Sequence, residues 1–169
     1  GLRDVFLAQG TAFAGVPKGQ PTTVGDGMVQ EFTGGLVGWS PAGGPTMIVG
    51  GIKEAYLAYG GPAVLGYPLG AERVHSAGVW IQDFQNGSVL WSTTGGPAVL
   101  KGGLRDVFLT QGTAFAGVPK GQPTIVGDGM VQEFTGGTAS WRPATGPIVI
   151  MNGIRAGYLA YGGAATLGL

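Results

Sequence analysis

The sequence predicts a β-rich α+β fold built as a tandem repeat. Each unit of about 51 residues holds one short helix and about four short antiparallel strands, and the units stack as an elongated stalk. Three observations lead to this expectation. Residues 1 to 35 match 103 to 137 at every position except Ala8/Thr110 and Thr23/Ile125, an offset of 102. Half of that offset carries a weaker repeat: Gly51-Ile52 stands where Gly1-Leu2 and Gly103-Leu104 stand, Phe84 where Phe32 and Phe134 stand, and Trp91 where Trp39 and Trp141 stand. Periods of this size are the signature of repeat architectures. Finally, 36 of 169 residues are glycine and 11 are proline, yet 44% are hydrophobic, a composition that turns often but can bury a core. The units run 1–50, 51–102 and 103–152, and residues 153–169 begin a fourth. A unit this small, with neither disulfide nor metal, is near the lower limit for an independent core, so its neighbours must supply part of the stability. The array reads as an open rod rather than a closed ring.

Each unit opens on a helix. Leu2, Phe6 and Gln9, Ile52, Tyr56 and Tyr59, and Ile154, Tyr158 and Tyr161 all stand at i, i+4 and i+7, one face of a two-turn helix. Glycines at 10, 60–61 and 162–163 end it. Next comes a string of the type Leu65-Gly66-Tyr67-Pro68, matched by Ala14-Gly15-Val16-Pro17 and Ala116-Gly117-Val118-Pro119. Its proline offers no N–H and pushes the residue before it toward extended geometry, so no helix runs through it. The string is a helix-to-strand joint, in which Leu65 plugs the core, Gly66 permits the bend and Pro68 starts the first strand. Pro21 to Val24 and Glu72 to His75 read as first strands, turned by Gly25-Asp26-Gly27 or Ser76-Ala77-Gly78 into second strands at Met28 to Thr33 and Val79 to Gln85. Two-residue turns follow at Gly34-Gly35, Asn86-Gly87 and Gly136-Gly137, and Asn-Gly is a strong type I′ hairpin signal. Fourth strands lie near Met47 to Val49, Ala98 to Leu100 and Ile148 to Met151.

Turns at those positions set Gln85 opposite Ser88, Phe84 opposite Val89, Asp83 opposite Leu90 and Gln82 opposite Trp91. They likewise set Gln30 opposite Trp39 and Gln132 opposite Trp141. Each such pair shares a face, roughly 5 Å apart at Cβ. An indole beside an amide suits a sugar, whose C–H face stacks on the ring while its hydroxyls bond the amide. The same residues also suit a small core with Phe32, Phe84 and Phe134, the glutamine then bonding a loop backbone.

Other chemistries find little support. Nine basic residues balance nine acidic ones, so no net field attracts nucleic acid. No apolar run approaches a membrane span, so membrane insertion is not expected. With no cysteine there is no thiolate site, and His75 is the only histidine, which excludes a repeated triad or metal cage. Glu31, Asp83 and Glu133 are expected on the solvated strand face, and Asp26 and Asp128 in turns bonding their own backbone. No P-loop, GxGxxG, HExxH or GxSxG pattern occurs, so neither an enzyme nor a cofactor is predicted.

The order Gly-Ile/Leu, aromatic-Leu, Gly-Gly, Leu-Gly-Tyr-Pro, Glu, Gln-x-Phe-x-x-Gly, Trp resembles the LGFP-repeat family over the whole chain. The match is fullest at Ile52, Tyr56, Gly60, Gly61, Leu65, Gly66, Tyr67, Pro68, Glu72, Gln82, Phe84, Gly87 and Trp91. The flanking units lose the aromatic, one glycine of the pair and the glutamate. The resemblance implies a secreted, non-catalytic module of the cell envelope, associating with peptidoglycan–arabinogalactan polysaccharide and with neighbouring repeats or copies of itself. The candidate glycan contacts are Gln30, Trp39, Tyr67, Glu72, Arg73, Gln82, Trp91, Gln132 and Trp141. Tyr67 and Glu72 are what the central unit alone possesses. A spacer or filament subunit without a small ligand is the alternative.

Overall fold

The computed structural model describes residues 11–169 together with Arg3, Asp4 and Leu7. The helix expected from Leu2, Phe6 and Gln9 lies outside the described residues. The chain forms three four-stranded antiparallel meanders. A one-turn helix α1 (Thr11–Ala14) precedes sheet 1, made of β1 (Pro17–Val24), β2 (Gly27–Phe32), β3 (Gly35–Ser40) and β4 (Gly44–Ile48). Helices α2 (Gly50–Ala58) and α3 (Gly61–Leu65) lead to sheet 2, with β5 (Arg73–Ser76), β6 (Val79–Phe84), β7 (Gly87–Ser92) and β8 (Gly96–Leu100). Helix α4 (Gly102–Gln111) and a 3-10 turn (Gly112–Ala114) lead to sheet 3, with β9 (Thr124–Val126), β10 (Gly129–Glu133), β11 (Thr138–Arg142) and β12 (Gly146–Ile150). Helices α5 (Asn152–Ala160) and α6 (Gly163–Leu167) follow.

The repeat, the helix–joint–sheet order and the strand count agree with the sequence reading. The additional one-turn helices do not appear in it. They fit where they stand because Gly60 turns left-handed at φ 97° and Pro62 occupies the first turn of α3, where its missing N–H costs nothing. The joint behaves as expected at Leu65, which is fully buried, and at Gly66, which closes α3 at φ 70°. Pro68 makes only an isolated bridge to Phe84, and β5 begins later at Arg73.

The hairpin register differs from the expected one. Trp80 pairs with Trp91, Gln82 with Val89 and Phe84 with Gly87. Likewise Trp39 faces Met28 and Trp141 faces Met130, while Gln30 faces Val37 and Gln132 faces Ala139. The turn in sheet 2 is therefore Gln85-Asn86 rather than Asn86-Gly87, which moves every partner by two residues and keeps the faces. The cause is tertiary. Gln85 N donates to Tyr67 O at 3.0 Å and Asn86 N to Leu65 O at 3.0 Å, so the joint captures both turn amides. Gly87 is needed where its backbone closes on the Leu100 carbonyl, because a β-carbon there would lie 2.7 Å from that oxygen.

Every sheet has two working faces, since side chains alternate along each strand. In sheet 2, Phe84, Val89, Trp80 and Trp91 meet Ile52 and Tyr56 of α2, together with Val29, Leu36 and Ile48 of sheet 1. The opposite face, with Val79, Ile81 and Leu90, meets Leu104 and Phe108 of α4 and Phe134 and Ala139 of sheet 3. Consecutive sheets thus share one core through the helix between them.

Charge follows the same plan and corrects the expectation for the strand carboxylates. Glu31 pairs with Lys53, Asp83 with Arg105 and Glu133 with Arg155, each acid joined to the helix of the next repeat. Asp83 also accepts from Ser88 at 2.5 Å and from Arg73 at 2.7 Å. Burial alone would raise its carboxyl, but the hydrogen bonds from Ser88, Arg105 and Arg73 outweigh that and hold it below the usual range.

Candidate functional site

The three glutamines lie at repeat junctions. Gln82 is fully buried, and its Nε2 donates to Met47 O and Gly70 O, both at 2.9 Å. It ties the edge strand of sheet 1 to the segment after its own joint. Gln132 repeats the arrangement one unit on, donating to Val99 O at 2.9 Å and more weakly to Gly121 O at 3.3 Å. Gln30 is half-buried and, among the described residues, bonds only Gly19 O, at 3.0 Å. The expected cross-strand Gln–Trp pairs are absent, and the glutamine donors serve loop and strand carbonyls. The Gln82 amide, fully enclosed, offers no face to a bulky ligand.

Tyr67 is also interior. Its hydroxyl donates to Val24 O at 2.6 Å and accepts from Val24 N at 3.2 Å. Its ring occupies the space a β-carbon on Gly27 would need, so the joint of the second repeat plugs the first hairpin of the first repeat. Burial raises this phenol, partly offset by the Val24 backbone hydrogen bond. Arg73 pairs across the ladder with Ile81 and turns to Asp83, away from the tryptophans. His75 stacks on Phe108 with centroids 4.9 Å apart, and burial, aided by Arg73, lowers its affinity for protons.

Of the expected contacts, Trp91 and Glu72 meet in one cleft. Trp80 and Trp91, Glu72, Val49, Ile52 and the Gly50-Gly51 backbone line about 170 Å³. The register of β6 and β7 sets the two indoles opposite each other, with ring centroids 5.4 Å apart and planes tilted by 53°. Both are half-buried, packed on the core below and open above. A β-carbon on Gly51 would fall inside the Trp91 indole, so that glycine lets the helix start close over the ring and fix it. Gly103 does the same beneath Trp141. Partial burial raises the Glu72 carboxyl above the usual glutamate range. The floor is therefore two aromatic faces, and the rim holds a carboxyl group that can accept from hydroxyls.

Sequence reasoning missed Trp80. Its signal was its position two residues before Gln82, which becomes a cross-strand indole pair once the turn is placed at Gln85-Asn86. The other repeats hold Met28 and Met130 in its place, facing Trp39 and Trp141, and Pro21 and Pro123 in place of Glu72.

No curated protein matches the chain. The family model of the LGFP repeat matches residues 15–63, 65–114 and 117–165. Each matched span runs from a joint, through one sheet, into the helix that follows it. Over these three consecutive repeats, the chain belongs to the LGFP-repeat family.

Proposed function

We propose that this repeat module is non-catalytic, is secreted to the cell envelope and associates with peptidoglycan–arabinogalactan polysaccharide through the cleft of its central repeat. The observation that carries this reading is the Trp80–Trp91 pair beside Glu72. Tilted indoles give apolar platforms for the C–H faces of a sugar ring, and the carboxyl at the rim meets its hydroxyls. A shallow cleft of about 170 Å³ suits one ring of a polymer rather than a free small molecule enclosed on all sides. Affinity at one such cleft is modest, and several modules on one wall raise it through effective concentration. Trp39 and Trp141 act as weaker contacts.

The alternative is a spacer without a small ligand. The glutamine ties and the acid–base pairs that join successive repeats favour it, since they stiffen the array. Retention on insoluble wall polymer separates the two readings. Trp80→Ala and Glu72→Gln should each weaken retention, the first by roughly tenfold, about 1.4 kcal/mol. Retention of both variants equal to that of the parent protein would leave the spacer reading.

A further inference from the structure

Glu72 differs from the carboxylates of the strands. Glu31, Asp83 and Glu133 each hold a cation, whereas Glu72 is half-buried and has neither an ion pair nor a hydrogen bond among the described residues. Charging a carboxylate in that setting is costly, and burial accordingly raises its affinity for protons. The other side chains of its cleft, Val49, Ile52, Trp80 and Trp91, are apolar or aromatic, so no cation of the lining answers it. The two indoles lie 5.4 Å apart at their centroids and tilt by 53°. An aromatic face carries the negative part of the ring quadrupole. Two such rings and a carboxylate therefore border one space of about 170 Å³. The third repeat has the corresponding place occupied from within. Met130, in the position of Trp80, reaches the start of α4, where a β-carbon on Gly102 would lie 2.6 Å from its Cε, and Pro123 stands in place of Glu72.

We propose that the Trp80–Trp91–Glu72 cleft is a binding site for an alkylated ammonium group, the indoles holding it by cation–π attraction and the carboxylate by opposite charge. The inference rests on the reading of this cleft as a ligand site and names a group that it selects. A cation within about 6 Å of an indole centroid is attracted to the ring face, and two rings on one small cleft act on the same centre. A quaternary ammonium presents methyl groups to the apolar walls and has no N–H to satisfy. A primary ammonium brings three donors, for which the lining side chains offer Glu72 alone as acceptor. An anion meets only repulsion from the carboxylate and the ring faces. The space is smaller than the roughly 300–1,000 Å³ of a drug-sized site, so it takes a head group and leaves the remainder of the ligand outside.

The test titrates the 169-residue chain with choline, with the uncharged alcohol of the same shape in which carbon replaces the nitrogen, and with butylammonium, following the indole N–H resonances. Choline should shift Trp80 and Trp91 saturably at millimolar concentration and leave Trp39 and Trp141 in place. The alcohol and butylammonium should each bind at least tenfold more weakly, by roughly the loss of the charge or the cost of unpaired donors. Glu72→Gln should weaken choline by roughly tenfold. Trp80→Met, which gives the central repeat the residue of its neighbours, should abolish the Trp91 shift while the remaining backbone resonances stay folded. Equal binding of choline and the alcohol overturns the proposal, as do unmoved indoles or equal shifts at Trp39 and Trp141. Retention on wall polymer is measured on the same variants. Loss of retention in Trp80→Met without any choline binding sinks the ammonium site and leaves the sugar contact. Choline binding with retention unchanged in both variants upholds the site and removes the polysaccharide from it.

Discussion

Replacing Gln82 by leucine isolates the tie between the first two sheets. The change keeps the volume of a fully buried side chain and removes two hydrogen bonds of 2.9 Å, to Met47 O and Gly70 O. Each is worth about 1 kcal/mol net, so their loss costs about 2 kcal/mol. Two smaller effects oppose each other. The Met47 and Gly70 carbonyls lose their amide partner, while the buried Gln82 Oε1, which has no hydrogen-bond partner among the described residues, is removed with its desolvation cost. Urea unfolding of the full chain should therefore show Gln82→Leu destabilised by about 2 kcal/mol with an unchanged m-value. Gln30→Leu is the matched control. Its amide is half-buried and makes one bond, to Gly19 O, so about 0.5 kcal/mol is expected. A Gln82→Leu protein as stable as the parent, or a Gln30→Leu protein equally destabilised, would refute the assignment of these glutamines as junction ties.

Three further outcomes follow from the same geometry. Gly51→Ala puts a methyl inside the Trp91 indole, and overpacking of this kind should cost about 2–3 kcal/mol in thermal or urea unfolding, with a change in tryptophan fluorescence. Tyr67→Phe removes the hydroxyl shared with Val24 O and N and should cost about 1–2 kcal/mol, read by the same unfolding assay. Glu72→Gln should raise stability at neutral pH while weakening polymer retention. Burial lifts the Glu72 carboxyl, so above the ordinary glutamate value the folded chain binds more protons than the unfolded one. Its contribution therefore becomes less favourable as pH rises through that window, and the glutamine variant should lose this pH dependence.

Local chemistry made much of the fold legible. The copied segments announced the repeat, the i, i+4, i+7 pattern at Ile52, Tyr56 and Tyr59 placed α2, and Gly66-Tyr67-Pro68 marked the joint. The hairpin register was not local. Asn86-Gly87 is a good turn by itself, but Tyr67 O and Leu65 O take the amides of Gln85 and Asn86 and move the turn by one residue. That step separated Gln82 from Trp91 and hid the Trp80–Trp91 pair, on which the candidate site now rests. The fate of Asp83 was hidden for a similar reason. One of its two cations, Arg73, lies in its own repeat, but the other, Arg105, sits on the helix of the next repeat, and only the packing of successive repeats brings them together. Tyr67 and Glu72, both singled out because only the central repeat has them, go to opposite fates: one plugs a neighbour's hairpin and the other borders the cleft.

Titration of the labelled protein with soluble fragments of peptidoglycan–arabinogalactan, followed by the four indole N–H resonances in NMR, addresses the central claim most directly. The cleft predicts that Trp80 and Trp91 shift together and saturably, with smaller responses at Trp39 and Trp141 and none in a Trp80→Ala protein at Trp91. Shifts led by Trp39 or Trp141, or four unmoved indoles at saturating fragment, would contradict it.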